Sequence, residues 1–253
     1  MIPLNLSLSH RILERVPPNI LVDGVLDFPD PLATLTDGIV ATSKTITPAS
    51  LLYAYENGIF PWPYSDSPRA AIPWACPQTR GVIKIQEFNI PPRELRTFRS
   101  RCLAPSSTYF ITQNTAFEQV TELCGAVHAL RQGDTWVTKK LQRAYNTLHQ
   151  LGFAYSLEVL NTSRQLVGGL FGVCCAGIVS AESMFYLEPN TGKFALIHLL
   201  QHLQRHELKL LDVQMVTPST GRYGAIEIHR EEYLAYLASV SDLPLDFSGL
   251  NPA

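Results

Sequence analysis

Phe153-Ala-Tyr-Ser-Leu-Glu-Val-Leu160, Gln165-Leu-Val-Gly-Gly-Leu-Phe-Gly-Val173 and Ile178-Val-Ser-Ala-Glu-Ser-Met-Phe-Tyr186 follow one another, with only Asn-Thr-Ser-Arg and Cys-Cys-Ala-Gly between them. Each run is short and largely apolar, and the separators are turn formers, so an antiparallel meander of three strands is predicted. Upstream, Thr138 precedes Leu141, Ala144, Tyr145, Leu148 and Leu151, a stripe of helical period that ends at Gly152. Downstream come a helix from about Lys193 to His206, a strand from Lys209 to Val216, a glycine-containing loop, and a helix from about Arg230 to Ser239. The order helix, three strands, helix, strand, helix predicts an α+β layer. A mostly antiparallel sheet is covered by helices, and the strand after the helical crossover lies parallel to a sheet neighbour.

The first half is more broken. Thr47-Pro48 opens an apolar segment that Gly58 closes, which predicts a short helix with an N-cap and a proline in its first turn. Ile59 to Tyr64 then crowds three aromatics around two prolines, and Asp66 to Arg80 reads as irregular. Gly81 to Ile85 alternates as a strand, and Arg93 to Arg101 reads as a basic helix. Asn114 is placed to cap a helix carrying Phe117, Val120, Leu123 and Cys124, with Gly125 as its stop. A soft boundary divides the chain into a smaller loop-rich domain, 1–105, and a second domain, 106–253.

With 253 residues, 46% hydrophobic and 17% charged, the chain can bury a sizeable core. A formal charge of -2 argues against coating nucleic acid by bulk electrostatics, so any RNA contact must be local. Five cysteines without C-x-x-C spacing suggest neither a disulfide framework nor a zinc site. The Met-Ile-Pro start lacks the basic and apolar regions of a secretory signal. The longest uncharged run, Gln165 to Ala181, falls short of the roughly 20 residues that span a bilayer, so it reads as a buried hairpin. The expectation is a cytoplasmic, monomeric protein with no membrane contact and no metal.

Five groups of residues could carry chemistry. Glu182 stands in an otherwise apolar strand, where an ionised carboxylate needs a cation or several donors. A bound amine or an internal arginine would serve. Asp212 and Gln214, two apart on a buried strand, would project together as an acceptor and a donor. Aminolysis of an ester needs such a pair, and a polar pair closing a sheet end is the plainer alternative. Trp62, Trp74 and Trp136 offer ring faces for bases, or core packing. Arg93, Arg96, Arg99 and Arg101, interleaved with Phe98, suit a phosphate track or a solvated helix face. His198, His202 and His206 fall at successive helical turns and read as a polar stripe more readily than as ligands.

Taken together, the residues resemble the leucyl/phenylalanyl-tRNA–protein transferase family. The likeness begins at Ala54-Tyr55-Glu56-Asn57-Gly58-Ile59-Phe60-Pro61-Trp62 and continues through Trp74, Arg80, Thr135-Trp136, Ala144-Tyr145 and Ser156-Leu-Glu-Val159. It then runs through Leu166 to Val173, Glu182 to Phe185, Asn190, Lys193, Leu211-Asp-Val-Gln214 and Gly224 to Ile228. The resemblance implies a smaller N-terminal domain beside an N-acetyltransferase-like (GNAT) C-terminal domain, with aminoacyl-tRNA as donor and no cofactor. A missing Gln/Arg-x-x-Gly-x-Gly/Ala loop agrees with a donor other than acyl-CoA. It further implies that Trp62 and Trp136 contact the terminal adenosine, and that Arg93, Arg96 and Arg101 contact the acceptor stem. Leu170, Met184, Leu196, Leu199, Leu203 and Leu211 would line the aminoacyl side-chain pocket. Glu182, Asp212 and Gln214 would bind and orient the acceptor amine and stabilise the transition state.

The implied reaction moves Leu, Phe or Met from its tRNA to a protein or peptide whose N-terminus is Arg or Lys, creating a destabilising N-terminus. The chain departs from the family pattern at several places. Ser43-Lys44-Thr45-Ile46 replaces Gly-Gly-Asp-Leu, Ala75 replaces a second tryptophan, and Ala181 replaces a glycine. Thr217-Pro-Ser-Thr-Gly-Arg-Tyr-Gly-Ala225 replaces Thr-Pro-His-Leu-x-Ser-Leu-Gly-Ala. The altered loop keeps open a rival acceptor, a small-molecule or peptide amine. A binding module without catalysis is the alternative of another class.

Overall fold

The computed structural model describes residues 28–33, 38–63, 67, 70–133, 135–175 and 177–240. The readings made of the N-terminal start, of Tyr64 and of Ala176 lie outside the described residues.

A small antiparallel sheet comes first. Its strands are β1 (Ile39–Ser43), β2 (Phe60–Pro61) and β3 (Ile72–Ala75), in the order β1-β3-β2, with helix α1 (Pro48–Glu56) between β1 and β2. The predicted capping is present. The Thr47 hydroxyl accepts from the Ser50 amide at 3.1 Å, and the Thr47 amide donates to the Ser50 hydroxyl at 3.0 Å. Strand β3 corrects the irregular reading of Asp66 to Arg80. Its four residues are all buried, so no alternation marks them, and Pro73 disguises the run further. Trp74 packs wholly inside, donating to the Ser43 hydroxyl at 2.9 Å and meeting the Phe28 ring edge-on.

The second sheet is large and mainly antiparallel. It is built from β4 (Thr79–Lys84), helix α2 (Pro92–Phe98) with a π turn (Arg99–Leu103), β5 (Tyr109–Gln113), α3 (Phe117–Gln132), α4 (Lys139–Gln150), β6 (Ala154–Asn161) and β7 (Leu166–Cys175). It continues through β8 (Ile178–Ser180), β9 (Ser183–Tyr186), α5 (Thr191–Arg205), β10 (Leu210–Gln214), α6 (Pro218–Gly221), β11 (Ala225–His229) and α7 (Arg230–Val240). The strand order is β11-β4-β10-β8-β7-β6-β5, with β9 also on β7. The predicted meander is present, and β10, the strand after the crossover helix, pairs in parallel with β8. The loop expected between β10 and α7 contains β11, which pairs with β4 over five residues.

Two further expectations change. Helix α3 does not stop at Gly125 but ends at Gly133, whose φ is 82°. Gly125 serves close packing instead: a Cβ there would come within 2.7 Å of the Gln142 side chain and 2.8 Å of the Val137 carbonyl. Asn114, with φ 54°, lies before the N-cap, which falls at Ala116, and its side chain accepts from the Ser156 amide at 2.9 Å.

The third apolar run, Ile178 to Tyr186, splits in two because the chain changes partners within it. The Ala181 amide donates to the Asp212 carbonyl at 2.8 Å, and the next amide, of Glu182, donates to the Phe171 carbonyl at 2.9 Å. Gly172 on β7 makes the break possible, since a Cβ there would collide with the Ser180 carbonyl. Gly172→Ala is therefore expected to cost about 3 kcal/mol in chemical denaturation. Gly133→Ala, in open space, should cost only about 1 kcal/mol for its left-handed backbone. Equal losses would remove the packing argument.

Candidate active site

Glu182 sits in the break between β8 and β9, 6% exposed. It meets several neutral donors rather than an arginine. The Ser180 hydroxyl donates to Oε1 at 2.6 Å, and the Gln214 amide donates to Oε2 at 2.6 Å. The Tyr145 hydroxyl donates to Oε2 at 3.3 Å and shares a 2.7 Å hydrogen bond with Tyr55. Burial pushes the Glu182 carboxyl above its ordinary range, and the charge of Asp212 pushes the same way. The hydrogen bonds from Ser180, Tyr55 and Gln214 oppose it. Tyr55 and Tyr145 are raised far above the usual phenol range by burial and by Glu182, so both stay protonated donors.

The internal arginine belongs to Asp212. Arg80, on β4, donates Nε to Oδ1 at 2.9 Å and Nη2 to Oδ2 at 2.7 Å, a buried bidentate pair. Tyr233 on α7 donates its hydroxyl to Oδ2 at 2.7 Å, and the Gln214 backbone amide donates to Oδ1 at 2.8 Å. Arg80 also reaches the Gly58 carbonyl at 3.0 Å and lies between the Phe60 and Tyr233 rings, 4.4 and 4.6 Å from their centroids.

Gln214 does not share a face with Asp212 through simple strand alternation. The pairing of β10 with β4 shifts between Asp212 and Gln214, and Gln214 adopts φ 61°, a conformation that side-chain-bearing residues seldom take. The bend turns its backbone amide to Asp212 and its side chain to Glu182, so one residue joins the two carboxylates.

The remaining predicted residues occupy other surroundings. Leu170, Leu196, Leu199, Leu203 and Leu211 are buried in one core cluster, and Met184 packs on it while bordering a 240 Å³ surface cavity with Ser219 and Tyr223. Trp62 and Trp136 are half-buried against a different cluster, which contains Tyr55 and Tyr145. Arg93, Arg96, Arg99 and Arg101 are exposed on α2 and the π turn, anchored by buried Phe98. His198 and His202 are buried, so the histidine row is not a solvated stripe. The His202 ring is pushed down to about 3 by burial and by its charged neighbours. Sequence reasoning assigned no role to Arg80, Ser180, Tyr55, Tyr145 or Tyr233. A solitary arginine beside the apolar start of β4 was the one available signal.

The family model for leucyl/phenylalanyl-tRNA protein transferase matches residues 82–238, and that for the N-terminal domain of the same family matches residues 44–78. The leucyl/phenylalanyl-tRNA--protein transferases of Salmonella heidelberg (strain SL476) and Salmonella typhi are each 39% identical over 220 residues, covering 86% of this chain and 88% of theirs. Among solved structures, L-PGS from Bacillus licheniformis aligns with 65% of this chain and 50% of its own, at 12% identity and a TM-score of 0.37. That likeness is too distant to carry an argument.

The raised Glu182 carboxyl has a measurable consequence. The folded protein keeps this proton where the unfolded chain releases it, so the contribution to stability is full below about 4.5 and is lost as pH rises through the higher folded value. Unfolding free energies of the native protein should therefore fall relative to Glu182→Gln as pH is raised from 4.5. Parallel pH profiles would count against a carboxyl raised by burial.

Proposed function

The chain belongs to the leucyl/phenylalanyl-tRNA protein transferase family, and from that premise we propose that it moves Leu, Phe or Met from aminoacyl-tRNA to an acceptor protein or peptide beginning with Arg or Lys. The observation that carries the reading is the bridge made by Gln214, held by Asp212 through its backbone and by Glu182 through its side chain.

The acceptor amine attacks the ester carbonyl, one proton leaves the nitrogen, and the ribose oxygen departs with a proton. Gln214 Nε2 is engaged with Glu182, which leaves Oε1 to accept a hydrogen bond from the incoming neutral amine. Glu182, with its carboxyl raised, takes that proton more readily than an ordinary glutamate and can return it to the leaving oxygen. Asp212 already receives four donors, so it acts as an electrostatic partner that fixes Gln214 and not as the base.

Trp62 and Trp136 stack on the terminal adenosine, and Arg93, Arg96 and Arg101 hold the acceptor stem. The six apolar residues from Leu170 to Leu211 receive the aminoacyl side chain. In this reading residues 106–253 form a GNAT-like transfer domain and 1–105 the smaller domain, with β4 tying the second segment's sheet to the first. The protein works as a cytoplasmic monomer. Among the described residues no helix is long and apolar enough to cross a membrane. A second reading, transfer to a small-molecule amine, is favoured by one observation: Ser219 and Tyr223 of the divergent loop line the cavity beside Met184.

Purified protein, tRNA charged with labelled leucine or phenylalanine, and a model protein with N-terminal arginine decide between them. Label is expected in the protein. Label passing only to small amines favours the second reading. Gln214→Ala should lower kcat by about 100-fold while leaving the protein folded. Trp136→Ala should weaken tRNA binding by about 1–3 kcal/mol, and an unchanged affinity would end the stacking role.

A further inference from the structure

A 440 Å³ cavity opens between α2, the start of α5 and the end of α6, lined among others by Arg93, Thr97, Asn190, Lys193 and Arg222, with Glu94 as its acid. Oε1 of Glu94 holds Lys193 Nζ at 3.0 Å and Arg222 Nη2 at 2.7 Å, and Oε2 accepts from the Tyr223 hydroxyl at 2.6 Å. Burial alone would raise the Glu94 carboxyl, but Tyr223, Lys193 and Arg222 together hold it below its usual range, so it stays charged. One carboxylate oxygen thus keeps two mutually repelling cations side by side. The Arg93 guanidinium has no carboxylate within ion-pairing distance among the described residues. Three cations against one acid leave a local charge of +2 in a chain whose formal total is -2.

We propose that this cavity is a phosphate subsite for the tRNA backbone, in which Lys193 and Arg222 extend the exposed arginine face of α2; the inference rests on the aminoacyl-tRNA reading above. Donors remain for such a ligand. Lys193 spends one of its three N–H groups on Glu94, Arg222 spends one of its five, and Arg93 keeps its fork. Glu94 orients the cations and does not neutralise them. A phosphate here lies against the end of α6, the short helix that follows β10. Arg222 stands where the family pattern has a serine, which makes this contact a property of the divergent loop.

The test is fluorescence anisotropy of uncharged leucine tRNA binding, titrated with KCl, for the native protein and for Lys193→Ala, Arg222→Ala, Arg222→Lys and Arg205→Ala. Lys193→Ala and Arg222→Ala should each make the slope of log affinity against log salt shallower by about 1. Arg222→Lys should keep the native slope, and Arg205→Ala, at an exposed position on the last turn of α5, should leave it unchanged. Unchanged slopes for both alanine variants overturn the proposal, as does an equal fall for Arg205→Ala. Unchanged slopes with a raised KM only for acceptors carrying carboxylates would assign the cavity to an acidic acceptor instead. If the native protein binds no tRNA at all, it is the aminoacyl-tRNA reading that fails. Circular dichroism confirms folding of each variant.

Discussion

The buried pair between Arg80 and Asp212 holds the rest of the site in place. Both side chains are almost fully excluded from water, which costs each several kcal/mol unless its hydrogen bonds are complete. They are close to complete. Arg80 is shared among Asp212, the Gly58 carbonyl and two aromatic faces, and Asp212 takes donors from Arg80, Tyr233 and the backbone of Gln214. One ion pair therefore fastens the turn after α1, strands β4 and β10, and helix α7 to one another. Removing either partner would strand a charge in the interior, a loss of about 3–5 kcal/mol.

The strained backbone of Gln214 follows from that fixture. Its amide is drawn to Asp212, which bends β10 out of register and swings the side chain onto Glu182. Glu182 in turn is available because the return strand breaks at Ala181 and Glu182, where Gly172 lets the Ser180 carbonyl approach β7 closely. Glu182 is met by protonated tyrosines, a serine and the Gln214 side chain, and burial holds its carboxyl above the ordinary range.

The two core clusters support different parts of the surface. One carries Trp62 and Trp136 on its rim and contains Tyr55 and Tyr145 of the site. The other buries the leucines of α5 together with Phe98, the anchor beneath the arginines. Basic groups are concentrated on α2, where buried Phe98 leaves the arginines facing water. A chain of slightly acidic total charge thus carries a local concentration of positive charge.

Much of this was legible from the sequence, and the reason is periodicity. The stripe after Thr138, the three apolar runs and the capped segment at Thr47 are local patterns that fix element type wherever one face meets the core. Strand β3 escaped because all its residues are buried and Pro73 interrupts it, and β11 because a five-residue strand after a glycine loop looks like loop. Glu182, Asp212 and Gln214 could be singled out as polar residues in apolar strands, since burial of such groups requires partners. The sequence by itself determined which residues needed partners. Tertiary structure decided which partners they took: Arg80 lies 132 positions from Asp212, and Gln214 lies 32 from Glu182. A buried polar group is satisfied by whatever the fold brings within about 3 Å, and no pattern of neighbouring residues encodes that distance.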